Sequence, residues 1–248
     1  MKQDEISGLT SDLILDRSTT QLLDDFGAGK ASPGSGSAAA LLSILSAKMI
    51  LTVCDISLEK AGCERYHKEF EFITSKIKEN FEPRLRELFE LDARDFEKVV
   101  DLRIRRDRAN DPSEKSRLSR ESLELLEVAT NYTFEVADIS FALMEYGINI
   151  FEHGWHAVRG DSGVSISAAM SGIMSCIFIT NLNLKTLKRR KYAAENLARV
   201  QSIQTRLENL QVKAFTCVTS IGAESIDSIQ LELNTTSHPP SEPRLNMS

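Results

Sequence analysis

SPGSGSAAALLSILSAKMILTVCDI, residues 32 to 56, is the stretch on which the fold of this chain turns. Pro33-Gly34 marks a turn, and from Ser35 or Gly36 the residues predict a helix running to about Asp55. Its interior is almost wholly small or aliphatic, so it should be buried on most sides. A membrane span is a poor reading, because Lys48 stands near the middle and Ser, Ala and Gly replace the usual Leu, Ile and Phe. Small side chains instead let neighbouring backbones approach closely. A second stretch of this kind runs from Ser162 to Leu184.

Outward from these two segments the pattern stays helical. Ser18-Thr19-Thr20 caps a short helix that stops at Gly27 and Gly29. Phe70, Ile73, Ile77, Phe81, Leu85, Leu88 and Phe89 recur at steps of three and four, which predicts a long amphipathic helix over 58–90; Pro83 either kinks it or begins a new one. A further helix is expected over about 91–106, closed by Ala109 to Pro112. The next, opening at Ser113, carries Leu123, Leu126, Phe134, Val136, Ile139, Leu143 and Ile150. His153 to Asp161 reads as a loop, and a last amphipathic helix spans about 190–222. No segment alternates with period two, so the fold class is all-α. The expected division is an N-terminal arm over 1–17, one helical domain over 18–222, and a disordered tail over 223–248.

With 248 residues and 42% hydrophobic side chains the chain can bury a large core. Its net charge of −6 argues against nucleic-acid binding. Four cysteines without a CxxC pair read as reduced thiols in a cytoplasmic protein, and the acidic start of the chain indicates no signal peptide.

Two glycine-containing loops precede the two small-residue helices. Ser32-Pro33-Gly34-Ser35-Gly36-Ser37 offers close backbone approach and the N–H groups of a helix start, features that serve either a tight turn or an anionic ligand. Gly27-Ala28-Gly29-Lys30 lacks P-loop spacing. In Arg159-Gly160-Asp161-Ser162-Gly163, Asp161 reads as a helix N-cap or as a general acid or base. His153 and His156 form a surface cluster or a metal pair, and His156 is a candidate proton shuttle for Asp161. Cys63 beside Arg65 is the one thiol with a basic neighbour.

Four motifs in order carry a resemblance: Pro33-Gly34-Ser35-Gly36-Ser37-Ala38-Ala39, Asp92-Ala93-Arg94-Asp95-Phe96-Glu97-Lys98-Val99, Asp161-Ser162-Gly163-Val164, and Leu182-Asn183-Leu184-Lys185-Thr186-Leu187. Over residues 18 to about 215 the chain resembles the formimidoyltetrahydrofolate cyclodeaminases and the bacterial methenyltetrahydrofolate cyclohydrolases. The resemblance implies a bundle of long antiparallel helices that forms a homodimer. It also implies a tetrahydrofolate derivative as substrate, and neither metal nor redox cofactor. Carried over by position, Asp161 is the carboxylate nearest the chemistry. Pro33, Gly34, Ser35, Gly36, Ser37, Asp92, Gly163 and Asn183 line the substrate pocket. Folates bear glutamate carboxylates, so a basic rim is expected, with Lys60, Arg65, Lys68, Arg105 and Arg106 as candidates.

The chain departs from the family pattern near the site. Ser35 replaces a glycine, Arg103-Ile104-Arg105-Arg106-Asp107 replaces a Leu-Pro-Lys, Gly160 replaces a serine, and Ile179 and Asn181 stand at polar positions. These departures support a rival reading, a helical dimer that binds a small molecule or a protein without turnover. A coiled-coil adaptor would need a sustained heptad over 60–90 and 190–222, and would leave the two glycine-led helices unexplained.

Overall fold

The computed structural model describes residues 13–236. Its principal helices are α1 (Thr19–Gly27), α2 (Ser35–Leu58), α3 (His67–Lys76), α4 (Glu82–Arg108), α5 (Pro112–His153), α6 (Arg159–Thr186) and α7 (Lys191–Thr236). Among the described residues there is no strand.

α1 begins with a complete capping box: the Ser18 hydroxyl accepts from the Gln21 N–H, and the Gln21 side chain accepts from the Ser18 N–H. Before it, a 3-10 turn at Ile14–Asp16 is tied to α4, the Ile14 and Leu15 N–H groups donating to Glu90 at 3.2 and 2.9 Å. The first twelve residues of the expected arm lie outside the described residues.

α2 and α6 lie at the heart of the body, and small residues make that possible. A Cβ on Gly172 of α6 would fall 2.7 Å from Ser43 Oγ of α2, and one on Gly147 of α5 would fall 2.8 Å from Ser165 Oγ of α6. The serines lining these contacts spend their hydroxyls inside the core. Ser43 and Ser140 pair at 2.7 Å, and Ser46 donates to the Ser165 carbonyl at 2.8 Å. Both helices are long and apolar enough to cross a membrane, but 61% of the α2 window is buried inside this fold and 44% of the α6 window. The lower figure reflects an uncovered stripe on α6: Val164, Met174, Phe178 and Leu182 face outward.

The expected helix over 58–90 is divided. Gly62, at φ +97°, turns the chain after α2, and a 3-10 turn leads into α3. A π-helical turn at Ile77–Phe81 then joins α3 to α4. One extra residue in the turn shifts the register, so that Phe70, Ile73 and Ile77 before it and Leu85, Leu88 and Phe89 after it all reach the same core. Each such side chain contributes about 1.5–3 kcal/mol by leaving water. Pro83 sits in the first turn of α4, where its missing N–H costs nothing. The separate helix expected over 91–106 is the continuation of α4, since nothing breaks the chain between Pro83 and Ala109.

Asp111 caps α5 by accepting from the Glu114 N–H at 2.9 Å, with Pro112 rather than Ser113 as the first helical residue. The loop expected at His153–Asp161 is shorter than its sequence suggests. Only Gly154 and Trp155 separate α5 from a 3-10 turn at His156–Val158, and α6 starts at Arg159. Asp161 therefore lies inside the first turn and does not cap the helix, Val158 holding that position. α7 packs through Val200, Ile203, Leu207, Leu210, Ala214 and Cys217, a strict three–four stripe directed at its own bundle. It continues to Thr236, so residues 223–236 of the expected tail are helical, and 237–248 lie outside the described residues.

Candidate functional site

The start of α2, the middle of α4, the end of α6 and residue 129 of α5 enclose a cleft of about 210 Å³. Ser35, Gly36, Asp92, Phe96, Ala129, Ile179, Leu182 and Asn183 line it. Three of the four motifs thus meet in space.

Asp92 is the polar centre of this cleft. It projects from the unbroken interior of α4 and retains only 7% of its surface. Its Oδ2 accepts from the Ser37 N–H at 2.8 Å, while the Ser37 hydroxyl lies 3.0 Å from the same oxygen and 3.2 Å from the Phe89 carbonyl. A first-turn N–H of α2 is thereby aimed at a carboxylate, the favourable sense for a helix dipole. The other oxygen lies against Gly36, where a Cβ would stand 2.2 Å from Oδ1. Only glycine fits this position with Asp92 in place.

Burial raises the pKa of Asp92, and Asp95 adds to the effect; the Ser37 bonds oppose it. Asp95 behaves oppositely. Arg94 at 2.8 Å, Tyr132 at 3.0 Å and Lys98 at 3.3 Å hold its carboxylate, and its pKa is lowered, chiefly by Arg94. Neighbouring acids whose environments drive their proton affinities apart suit different tasks. Asp92 is the acid whose proton affinity is raised, Asp95 the one whose proton affinity is lowered. Asn183, opposite, donates to Thr130 Oγ1 at 3.1 Å, which fixes its amide at the wall.

Of the residues expected at the site, Ser35, Gly36, Asp92 and Asn183 line the cleft, and Ser37 holds Asp92. Pro33 and Gly34 lead into α2, Gly34 as its N-cap, without lining the cleft. Asp161 and Gly163 do not belong to it within one chain. They stand at the opposite end of α6, 22 residues before Asn183, or about 33 Å along the axis at ~1.5 Å per residue. Gly163 instead lines an apolar groove of about 290 Å³ with Phe151, Arg159, Met170, Phe215 and Val218.

Of the walls, Ala129 was not singled out from the sequence, while Phe96 and Leu182 stood in the quoted motifs and Ile179 among the departures without being assigned to the pocket. Phe96 stands four residues from Asp92 and Ile179 four from Asn183, a spacing that shares a helix face and could have marked them. The expected basic rim is scattered. Lys60 lies over the Trp155 ring and Arg65 over Tyr66, at the Asp161 end. Arg105 and Arg106 pair with Asp101 and Asp107. His153 stacks on Tyr66 at 4.2 Å, and His156 Nε2 meets Arg159 at 3.0 Å. All four cysteines are buried, Cys63 included, and burial pushes the Cys54 thiol up to about 12.

A largely apolar cleft with one buried carboxyl of raised proton affinity is a candidate site for a small molecule. Residues 18–202 match the formiminotransferase-cyclodeaminase family, and the chain belongs to it. Among curated proteins it is similar to a methenyltetrahydrofolate cyclohydrolase of Methylorubrum extorquens, 24% identical over 198 residues that cover 80% of this chain and 94% of that one. Among solved structures it is similar to a formiminotetrahydrofolate cyclodeaminase from Thermotoga maritima. The TM-score is 0.71 at 17% identity, over 84% of this chain and 98% of the other. That likeness supports the fold.

Proposed function

We infer that this protein is a folate one-carbon enzyme in which Asp92, rather than Asp161, is the general acid–base. The reaction is hydrolysis of 5,10-methenyltetrahydrofolate to 10-formyltetrahydrofolate, or the related deamination of 5-formiminotetrahydrofolate to the methenyl form. The observation that carries the reading is the buried Asp92, its proton affinity raised by burial, in a cleft lined from three of the motifs.

The chemistry follows from that carboxyl. As a base, Asp92 takes a proton from water while the water oxygen bonds to the methenyl carbon. It then returns the proton to N5 as the C–N5 bond breaks, and the adduct's hydroxyl proton leaves to solvent as the formyl C=O forms. In deamination N10 bonds to the formimino carbon and its proton passes to the imino nitrogen, after which the protonated carboxyl gives that nitrogen a second proton and ammonia leaves as its C–N bond breaks. Neither step calls for a metal or redox cofactor. Proton transfer of this kind contributes about 10²–10⁴-fold. Phe96 and Ile179 shield the carboxyl from bulk water, and Asn183 orients the ring.

A homodimer completes the reading. The cleft holds the reactive end of a folate and leaves the remainder at its mouth, beside the uncovered α6 stripe. Pairing two α6 helices about the stripe's midpoint, near residue 173, buries Val164, Met174, Phe178 and Leu182 against their counterparts. The two-fold then sets Gly163 of the partner subunit opposite Asn183, and Asp161 of the partner subunit opposite Lys185, an opposite-charge match. The second glycine loop reaches the cleft through the partner.

The test is absorbance of 5,10-methenyltetrahydrofolate with purified protein, with Asp92→Asn and Asp161→Asn in parallel. Enzyme-dependent loss of the methenyl chromophore, reduced at least a hundredfold in Asp92→Asn, is expected. An undiminished rate in Asp92→Asn overturns its role. Binding without turnover of either substrate marks the non-catalytic dimer, the reading that the changed loop residues favour.

A further inference from the structure

Opposite Asp92 the cleft wall carries the amide of Asn183, and the walls around it, Phe96, Ala129, Ile179 and Leu182, have no side-chain hydrogen-bonding group. An amide can show a ligand either its oxygen, which accepts, or its nitrogen, which donates. Thr130 of α5 decides between them. Its side chain is fully buried, and its Oγ1 lies 2.6 Å from the Leu126 carbonyl one turn back. Two oxygens come that close with a proton between them, and a carbonyl has none to give. The single hydroxyl proton of Thr130 is therefore spent on Leu126.

Towards Asn183, 3.1 Å away, the Thr130 oxygen can then only accept, so the amide nitrogen takes that side. Turning the amide over would set its oxygen against a second acceptor in a buried setting, which is costly. The Asn183 oxygen has no partner among the described residues, and it is the end left for the cleft. A ligand group seated between Asp92 and this oxygen is favoured when it brings an N–H.

The two reactions of the folate reading differ in this respect. The methenyl bridge, N5=CH–N10, carries hydrogen only on carbon. The formimino group, N5–CH=NH, carries an N–H on the nitrogen that leaves. That nitrogen gains one hydrogen from N10 and one from Asp92, and departs as ammonia when its bond to carbon breaks. It becomes a stronger donor at each step, so a fixed acceptor beside it holds the transition state more firmly than the ground state.

We propose that Thr130 is a positioning residue: it locks the Asn183 amide with its oxygen towards the cleft, where that oxygen accepts from the imino nitrogen and selects formimino over methenyl substrates. The proposal rests on the folate reading and separates its two reactions.

Initial rates test this, as ammonia released from 5-formiminotetrahydrofolate and as chromophore lost from 5,10-methenyltetrahydrofolate, with thermal melts to show that each variant is folded. Wild-type kcat/KM should be about tenfold or more higher for the formimino substrate, the scale of one hydrogen bond to a charged group. Thr130→Val keeps the shape and removes the hydroxyl; it should lower deamination about tenfold and the ratio of the two reactions about fivefold or more. Thr130→Ser restores the hydroxyl and should restore the ratio. Asn183→Leu, which removes the acceptor itself, should match Thr130→Val. Thr133→Val deletes another buried hydroxyl of α5, one bonded to the Ala129 carbonyl, and should leave the ratio unchanged. A wild type that prefers the methenyl substrate, or a Thr130→Val variant that slows both reactions equally, overturns the proposal and leaves the folate reading in place. Failure of the wild type to turn over or bind either compound overturns the two together.

Discussion

Gly36→Ala is the sharpest perturbation this structure offers. The added methyl would stand 2.2 Å from Asp92 Oδ1, 2.4 Å from its Cγ and 2.6 Å from Oδ2, so the carboxyl must leave its place. Leaving forfeits the bonds from the Ser37 N–H and hydroxyl, each to a carboxylate and each worth about 1.5–3 kcal/mol. Against this, replacing glycine by alanine in a helix returns up to about 1 kcal/mol. The net expectation is a loss of about 2–6 kcal/mol in urea unfolding, with turnover abolished. The cause is isolated by a double-mutant cycle with Asp92→Ala. Once the carboxyl is absent the methyl has room, so Gly36→Ala should then cost under about 1 kcal/mol, a coupling well above the additivity limit. Additive losses, or a single-variant loss below about 1 kcal/mol, would refute the contact.

Two further outcomes follow. Asp92→Asn should stabilise the protein at neutral pH while removing activity. Because burial raises the folded pKa, the native state holds this proton more tightly than the unfolded chain. Stability from the group is therefore fully present below the unfolded value and declines as pH rises through the folded one, by about 1.4 kcal/mol for each tenfold difference in proton affinity. The melting-temperature gain of Asp92→Asn should grow from pH 4 to pH 8, and a gain independent of pH would contradict this. On the dimer reading, the wild type should scatter light as twice the 27.7 kDa chain, and Phe178→Asp as one chain with turnover lost; a monomeric wild type would remove the paired α6 stripe.

What could be read from the sequence was whatever repeats along a helix. Small-residue composition marked α2 and α6, and the apolar stripe of α7 showed its packed face. The breaks around α3 were hidden, because a π turn keeps apolar residues at nearly helical spacing and the positive φ of Gly62 leaves no trace in periodicity. The site was half legible. Gly36, Ser37, Asp92 and Asn183 were marked by motif, but their ranking was not. Asp161 drew attention as a carboxylate beside glycines, yet 22 intervening helical residues carry it to the far end of the body. Asp92, inside an ordinary amphipathic pattern, gave no sign that three helices would close around it.

The acid at the floor of the cleft rides on the middle of an unbroken helix and is clamped by the buried start of another. Its geometry is settled when the chain folds, and no moving loop is needed to assemble it. Selection for a durable core and selection for chemistry consequently act on the same atoms at positions 36, 37 and 92, which ties those positions together. The walls contributed by Ile179 and Leu182 carry no such double duty. Divergence within this architecture therefore has an open route at its margin, where new molecules can be admitted without disturbing the carboxyl they will meet.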